Sequence, residues 1–358
     1  MKKGYIFSWF NFGRNYGQTL QAYALQRKLF DLGYYVEHVC FDSNRKPSSS
    51  PIRKYKDVKY LSSRERVIQN KFDKFISEKM KITKKLRNDK KVKRFIEKNK
   101  PDFIMCGSDQ VWNPYNVNPL YYLYGVGNLN TKRIAYAVST CDIRRKDKFM
   151  EYPEISEWIN QIDYVFVREK TGQQIFAELY GVESEIVLDP TLLLTGKEWI
   201  EELKLEKKEE NYILCYAFNL SDLQKNLISK RARELNCTIK YGNIIDSDDV
   251  ETESWSPTDF LNAILNAREI FTDSFHGTVF SILFHKKFTV FDNGENIESD
   301  PYYNIDRMNT LLELLGLQER LINKDNEFVN SDIDYMTVDK ILENRKDKCI
   351  SLIRRSIG

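Results

Sequence analysis

Histidine is scarce in this sequence: His38, His276 and His285 are the only three in 358 residues, and none stands at H-E-x-x-H spacing. The six cysteines (Cys40, Cys106, Cys141, Cys215, Cys237 and Cys349) form no C-x-x-C pair. No carboxylate array has calcium-loop spacing either, so neither a metal centre nor a disulfide scaffold is expected. No uncharged apolar run approaches the roughly 18–20 residues needed to cross a bilayer. The apolar stretch after Met1-Lys2-Lys3 is short and leads into Asn11 and Arg14, which fits a first core strand rather than a signal peptide. A G-x-G-x-x-G fingerprint, the lysine of a P-loop and a G-x-S-x-G elbow are all missing. What remains is a chain with 42% hydrophobic residues, too apolar for disorder and long enough for two domains. The expected localisation is cytoplasmic, and no cofactor is expected.

Overall charge is nearly balanced, at 55 Lys+Arg against 52 Asp+Glu. Its distribution is not. Residues 45–100 hold 21 basic and 6 acidic side chains, a local net charge of +15, and the rest of the chain carries −12. Phe72, Phe75, Ile76 and Met80 recur there at helical spacing, so the segment is expected to be a basic helical insertion. Two readings stand side by side: lysine-rich solvated helix faces, or a landing surface for an anionic partner. No recognition motif accompanies the charge, so nucleic acid is not expected. An anionic membrane, contacted peripherally at its inner face, or a phosphorylated, lipid-linked substrate fits the charge equally well.

Short apolar runs alternate with helical patterns, the signature of parallel α/β architecture. Expected strands are Gly4–Trp9, Tyr34–Phe41, Phe103–Cys106, Ile134–Val138, Tyr164–Val167 and Ile186–Leu188, then Tyr212–Ala217, Thr238–Tyr241, Glu269–Thr272 and Phe288–Phe291. Expected helices include Gln18–Leu32, Glu169–Leu179, Leu223–Leu235, one starting at Ser256-Pro257, and Phe275–Leu283. The division this supports is two Rossmann-like domains, residues 1–192 and 193–335, facing across a cleft. A C-terminal helix at 336–358 would pack back on the first domain. A site is expected in the cleft, near the carboxyl ends of the strands.

Four segments place reactive side chains at such strand ends. In Thr272-Asp273-Ser274-Phe275-His276-Gly277-Thr278 a strand turns into a helix, where N–H groups favour an anion and an imidazole can exchange protons. A capping network of Thr272, Asp273 and Ser274 is the competing reading. Asn15-Tyr16-Gly17-Gln18 forms a turn suited to phosphate or carboxylate. Asp109, in Cys106-Gly107-Ser108-Asp109-Gln110, is placed either to orient a sugar hydroxyl or act as base, or to form an Asx-turn. Arg168 leaves a strand end, either to grip an anion bidentately or to pair with Glu169 or Asp163. His38 is expected to be structural, and His285 a surface residue or helix-end cation.

In this order, the segments resemble the polysaccharide pyruvyl transferase family. The matching residues are Asn15-Tyr16-Gly17 with Leu20-Gln21-Ala22-Tyr23-Ala24-Leu25, Gly107-Ser108-Asp109-Gln110-Val111-Trp112-Asn113, Val167-Arg168-Glu169, Leu188-Asp189-Pro190-Thr191, the His276 segment, and Asp306-Arg307-Met308. The resemblance implies a GT-B-like fold and transfer of pyruvyl from phosphoenolpyruvate to a glycan or lipid-linked oligosaccharide acceptor, forming a ketal. It implies His276 and Asp109 as catalytic groups. Arg168, Ser274, Phe275, Gly277, Thr278, Asn15, Gly17 and Arg307 become the substrate-binding set. Better-known members carry arginine two positions before the matching histidine, where this chain has Ser274, so Arg307 is the candidate replacement cation. Two other functions share these features: a glycosyltransferase using a nucleotide-sugar donor, and a non-catalytic anion-binding protein.

Overall fold

The computed structural model describes residues 1–10, 14–41, 62–208, 210–242, 254–292, 303–323 and 328–358. Part of the expected basic insertion, residues 45–61, lies outside them. The first sheet holds six strands: β1 (Lys3–Phe7), β2 (Tyr35–His38), β3 (Phe103–Cys106), β4 (Lys132–Val138), β5 (Tyr164–Val167) and β6 (Glu185–Ile186). All pair in parallel, in the order β2-β1-β3-β4-β5-β6. Its helices are α1 (Tyr16–Asp31), α2 (Ser63–Lys79), α3 (Asp89–Asn99), α4 (Ile155–Ile159) and α5 (Lys170–Tyr180). β3 is buried along its whole length, as expected for a central parallel strand covered on both faces.

The helix α6 (Gly196–Leu203) leads into the second sheet. Its strands are β7 (Tyr212–Tyr216), β8 (Thr238–Tyr241), β9 (Glu269–Thr272), β10 (Lys287–Phe291) and β11 (Leu321–Ile322), parallel and ordered β11-β10-β9-β7-β8. The helices α7 (Asp222–Glu234), α8 (Pro257–Asn266), α9 (Phe275–Leu283) and α10 (Asp306–Leu315) accompany it. Ser256 caps α8 with a reciprocal Asp259 bond, and Pro257 occupies its first turn, where the missing N–H costs nothing. Each sheet reverses strand order once, between β1 and β3 and between β7 and β9. Both reversals open a crevice at the carboxyl ends of the strands.

Several contacts join the halves. The Tyr16 ring stacks on Phe260 at 4.6 Å and meets Phe72 at 5.2 Å, so α1, α2 and α8 share one core. Lys71 of α2 reaches Asp259 at 3.1 Å. The basic insertion therefore turns Phe72, Phe75 and Ile76 inward and straps the first domain to the second, while Lys74, Lys79 and most other lysines face outward. Asp306 of α10 accepts the Thr171 backbone N–H (2.6 Å) and hydroxyl (2.7 Å), capping α5 from the other domain. Finally, α11 (Tyr335–Ile357) starts on the second domain, where Tyr335 stacks on His285, and ends on the first. There Cys349 Sγ accepts the Leu188 N–H at 3.4 Å, and Glu185 takes Lys348 and Arg355. No described helix is long and apolar enough to cross a membrane.

Candidate active site

The polar centre is built on Asp189, which follows β6 and is fully buried. Its Oδ1 accepts from the Thr191 backbone N–H (3.0 Å) and hydroxyl (2.6 Å), a local turn that the Asp-Pro-Thr order favours. Its Oδ2 receives Arg168 Nη1 at 2.8 Å and lies 3.2 Å from Ser108 Oγ. His276 Nε2 approaches the same oxygen to 3.7 Å, ion-pair range rather than a hydrogen bond. Burial alone would raise the Asp189 pKa. His276, Arg168 and the Thr191 bonds override it and hold the carboxyl well below the usual range, so Asp189 is ionised.

Arg168 leaves β5 and is buried among three carboxylates: Asp189, Asp109 (Nη2 to Oδ1, 3.4 Å) and Glu169 (Nε to Oε2, 3.7 Å). The Phe275 ring covers it at 4.5 Å. Arg168 is thus paired within the fold, with Asp189 and Asp109 as the main partners. Asp163 faces Lys132 and the Arg133 N–H instead. Glu169 accepts the Thr140 N–H at 2.8 Å, and its burial pushes its pKa up. Asp109 lies at φ +72°, a left-handed conformation in the loop after β3, and its backbone bridges to Val138. Gln21 of α1 fixes that loop by accepting the Ser108 N–H at 3.0 Å.

His276 enters from the second domain at the start of α9 and is 8% exposed. Gly17 of α1 makes its position possible: a Cβ there would lie 2.0 Å from His276 Nδ1. Five segments far apart in sequence thus bring Gly17, Asp109, Arg168, Asp189 and His276 together, with Phe275 beside them. Arg307, on α10, lines a cleft that also reaches Arg168, Asp189 and Phe275.

Four other residues of the expected binding set are engaged within the fold. Asn15 caps α1 by accepting the Gln18 N–H at 3.1 Å. Ser274 caps α9, its oxygen accepting the Gly277 N–H at 3.3 Å while its O–H stays able to donate. Thr278 is fully buried and donates to Ser274 O, so it is a helix-packing residue. Gly277 lets α9 approach the sheet, since a Cβ would come within 2.5 Å of Thr272 Oγ1. The capping and proton-transfer readings of this segment are therefore compatible, because different side chains serve each. His38 is structural, bonded to Ser8 Oγ and Ala22 O, and burial lowers its pKa to about 4. His285 pairs with Asp339 on the surface. No group of side chains able to hold a metal occurs among the described residues.

Asp189 is the central residue that sequence reasoning did not select, although its Asp-Pro-Thr turn stands out in the chain. The model of the polysaccharide pyruvyl transferase family matches residues 15–295, a span that contains every member of this cluster.

The chain belongs to that family.

It is a family of transferases. No curated protein matches this member's sequence. Among solved structures, the UDP-GlcNAc 2-epimerase from Neisseria meningitidis bound to UDP-GlcNAc is similar, with a TM-score of 0.50 and 10% identity over 100% of this chain and 99% of that one. An α-glucosyltransferase in complex with UDP and DNA is similar too, with a TM-score of 0.50 and 9% identity over 100% of this chain and 93% of that one. At such identity the likeness concerns the fold alone, which is the GT-B fold.

Proposed function

We propose that this transferase moves a pyruvyl group from phosphoenolpyruvate onto two hydroxyls of a sugar in a surface polysaccharide or its lipid-linked precursor. In that reaction C3 of the donor gains a proton and becomes a methyl group. One sugar oxygen bonds to C2, the C2–O bond to phosphate breaks, and the second oxygen closes the ketal. One hydroxyl proton balances the proton gained at C3, and the other leaves with phosphate or solvent.

The observation that carries this reading is the approach of His276 to ionised Asp189 in a cleft between domains. His276 Nε2 stands 3.7 Å from the Asp189 carboxylate at the start of α9, a position from which an imidazole could deliver the proton that C3 needs. The free oxygen of Asp109 would take a sugar hydroxyl. With Arg168 neutralised by its carboxylates, the donor's charge falls to Arg307 and the N–H groups opening α9.

Phosphate release from phosphoenolpyruvate with a panel of glycan acceptors tests the reading. His276→Ala should lose 10²–10⁴-fold in turnover with its fold intact. Nucleotide diphosphate binding without phosphoenolpyruvate consumption would shift the assignment to a nucleotide-sugar glycosyltransferase. The outward lysines of α2 and α3 add peripheral contact with an anionic membrane to the proposal. Sedimentation with phosphatidylserine vesicles should show binding lost at high salt, and binding indifferent to salt or absent would end that part.

A further inference from the structure

The helix α1 carries three glutamines, and all of them are buried, with exposures of 9% for Gln18, 0% for Gln21 and 1% for Gln26. A side-chain amide taken out of water needs partners at both ends. Gln26 has them: its Nε2 donates to Lys81 O at 2.7 Å and Val36 O at 3.3 Å, and its Oε1 accepts the Lys81 N–H at 2.7 Å. Gln21 has them too. Its Nε2 donates to Gln18 O at 2.8 Å and Trp9 O at 3.0 Å, while its Oε1 accepts the Ser108 N–H at 3.0 Å. Gln18 is the exception. Its backbone is held, the N–H on Asn15 and the carbonyl under Gln21, but its side-chain Oε1 is buried with no hydrogen-bond partner among the described residues.

Gln18 and Gln21 stand three residues apart and so share a helix face, with Gln18 one turn nearer the start of α1. That face meets Trp9 and Ser108 at the carboxyl ends of β1 and β3, where the strand order of the first sheet reverses. Asp109 follows Ser108 directly, and Gly17, next to Gln18, faces His276. The unpartnered oxygen therefore stands at the switch-point crevice, beside the segments that carry Asp109 and His276. An amide oxygen can only accept a hydrogen bond, and this sorts the two substrates of the proposed reaction. Ionised phosphoenolpyruvate has no N–H or O–H to give, whereas a sugar presents one at every free hydroxyl. We propose that Gln18 is a specificity-determining residue, its side-chain oxygen accepting a hydroxyl of the acceptor sugar. The inference rests on the pyruvyl-transfer reading for the sugar and adds to it the residue that tells acceptor from donor. The lone buried oxygen costs the empty protein stability, and the bound hydroxyl removes that cost. A ligand without the hydroxyl is rejected because the oxygen then stays unpaired.

The test compares wild type, Gln18→Leu, Gln18→Ala and Gln21→Ala as full chains. Urea unfolding comes first. Gln21→Ala loses the three side-chain hydrogen bonds of Gln21 and should unfold at lower urea. Gln18→Leu has no partner at that oxygen to lose and should unfold at the same urea concentration as wild type or higher. Binding follows, by titration with p-nitrophenyl β-galactoside, β-glucoside and α-mannoside and, separately, with phosphoenolpyruvate. The best-bound glycoside should bind about tenfold more weakly, or worse, to both Gln18 variants, with phosphoenolpyruvate binding unchanged. The proposal is overturned if Gln18→Leu unfolds as early as Gln21→Ala, or if both Gln18 variants bind that glycoside as tightly as wild type. It is equally overturned if phosphoenolpyruvate binding falls in parallel, or if wild type binds no glycoside at tens of millimolar. Failure of the pyruvyl-transfer reading looks different: glycoside binding that depends on Gln18, with no phosphate released from phosphoenolpyruvate.

Discussion

Two buried arginines mark opposite ends of the strands, and their surroundings differ in one respect. Arg231, on α7, meets Glu269 at the first residue of β9 in a two-pronged pair of 2.7 and 2.6 Å, with Asn330 at 2.8 Å and Glu234 at 3.1 Å. No polar atom of Arg231 or Glu269 is left buried without a partner. Arg168, at the carboxyl end of β5, meets three carboxylates yet leaves its own Nε, Glu169 Oε2 and the neighbouring His276 Nε2 without hydrogen bonds among the described residues. A satisfied buried network fixes structure. A half-satisfied one costs stability and persists where it serves a ligand or a proton. The same residue types thus form a satisfied clasp at the amino ends of the second sheet's strands and a half-satisfied cluster at the carboxyl ends of the first sheet's.

The largest expected effect would break this comparison at its half-satisfied end. Arg168→Ala leaves Asp189 and Glu169 buried without their cation and should destabilise the fold by about 3–5 kcal/mol in urea unfolding, while also abolishing turnover. Arg231→Ala should cost less, roughly 2 kcal/mol, because Glu269 keeps Lys287 at 3.8 Å and borders a solvent-open hollow. Turnover per folded molecule should not change in that variant. If Arg231→Ala silences the folded enzyme, or Arg168→Ala leaves it active, the division between clasp and reactive centre is wrong. The smallest effect sharpens the comparison. Gly17→Ala adds a methyl 2.0 Å from His276 Nδ1 in the first turn of α1, where alanine otherwise favours the helix. Turnover should fall about tenfold, and displacing the buried ring should cost about 1–3 kcal/mol. Lost stability with unchanged turnover would instead make Gly17 a packing residue only.

Much of the fold was legible before any tertiary contact was known. Phe103–Cys106, Thr238–Tyr241, Glu269–Thr272 and Phe275–Leu283 form as the periodicity predicts, and Ser256-Pro257 starts its helix. Edges drifted where end residues find other partners: the strand expected at Ile186–Leu188 pairs only at Glu185–Ile186, and buried Leu188 gives its N–H to Cys349 Sγ of α11 instead. The site was legible in part. Glycines, caps and a lone histidine at strand ends picked out segments that the fold gathers into one cluster, and Asn15, Ser274, Gly277 and Thr278 also have roles in capping or packing their helices. A capping side chain and a ligand-binding one carry the same residue types, so local pattern does not separate them.

The sequence by itself determined the two parallel α/β halves, the helix starts and stops, and the inward apolar face of the basic insertion, because each depends on spacing within a dozen residues. Only the tertiary structure decided that Asp189, Arg168, Asp109 and His276 meet, and that Gly17 clears room for His276. Those are contacts between segments tens to hundreds of residues apart. They depend on strand order and on the docking of one domain against the other, and neither leaves a local trace in the chain.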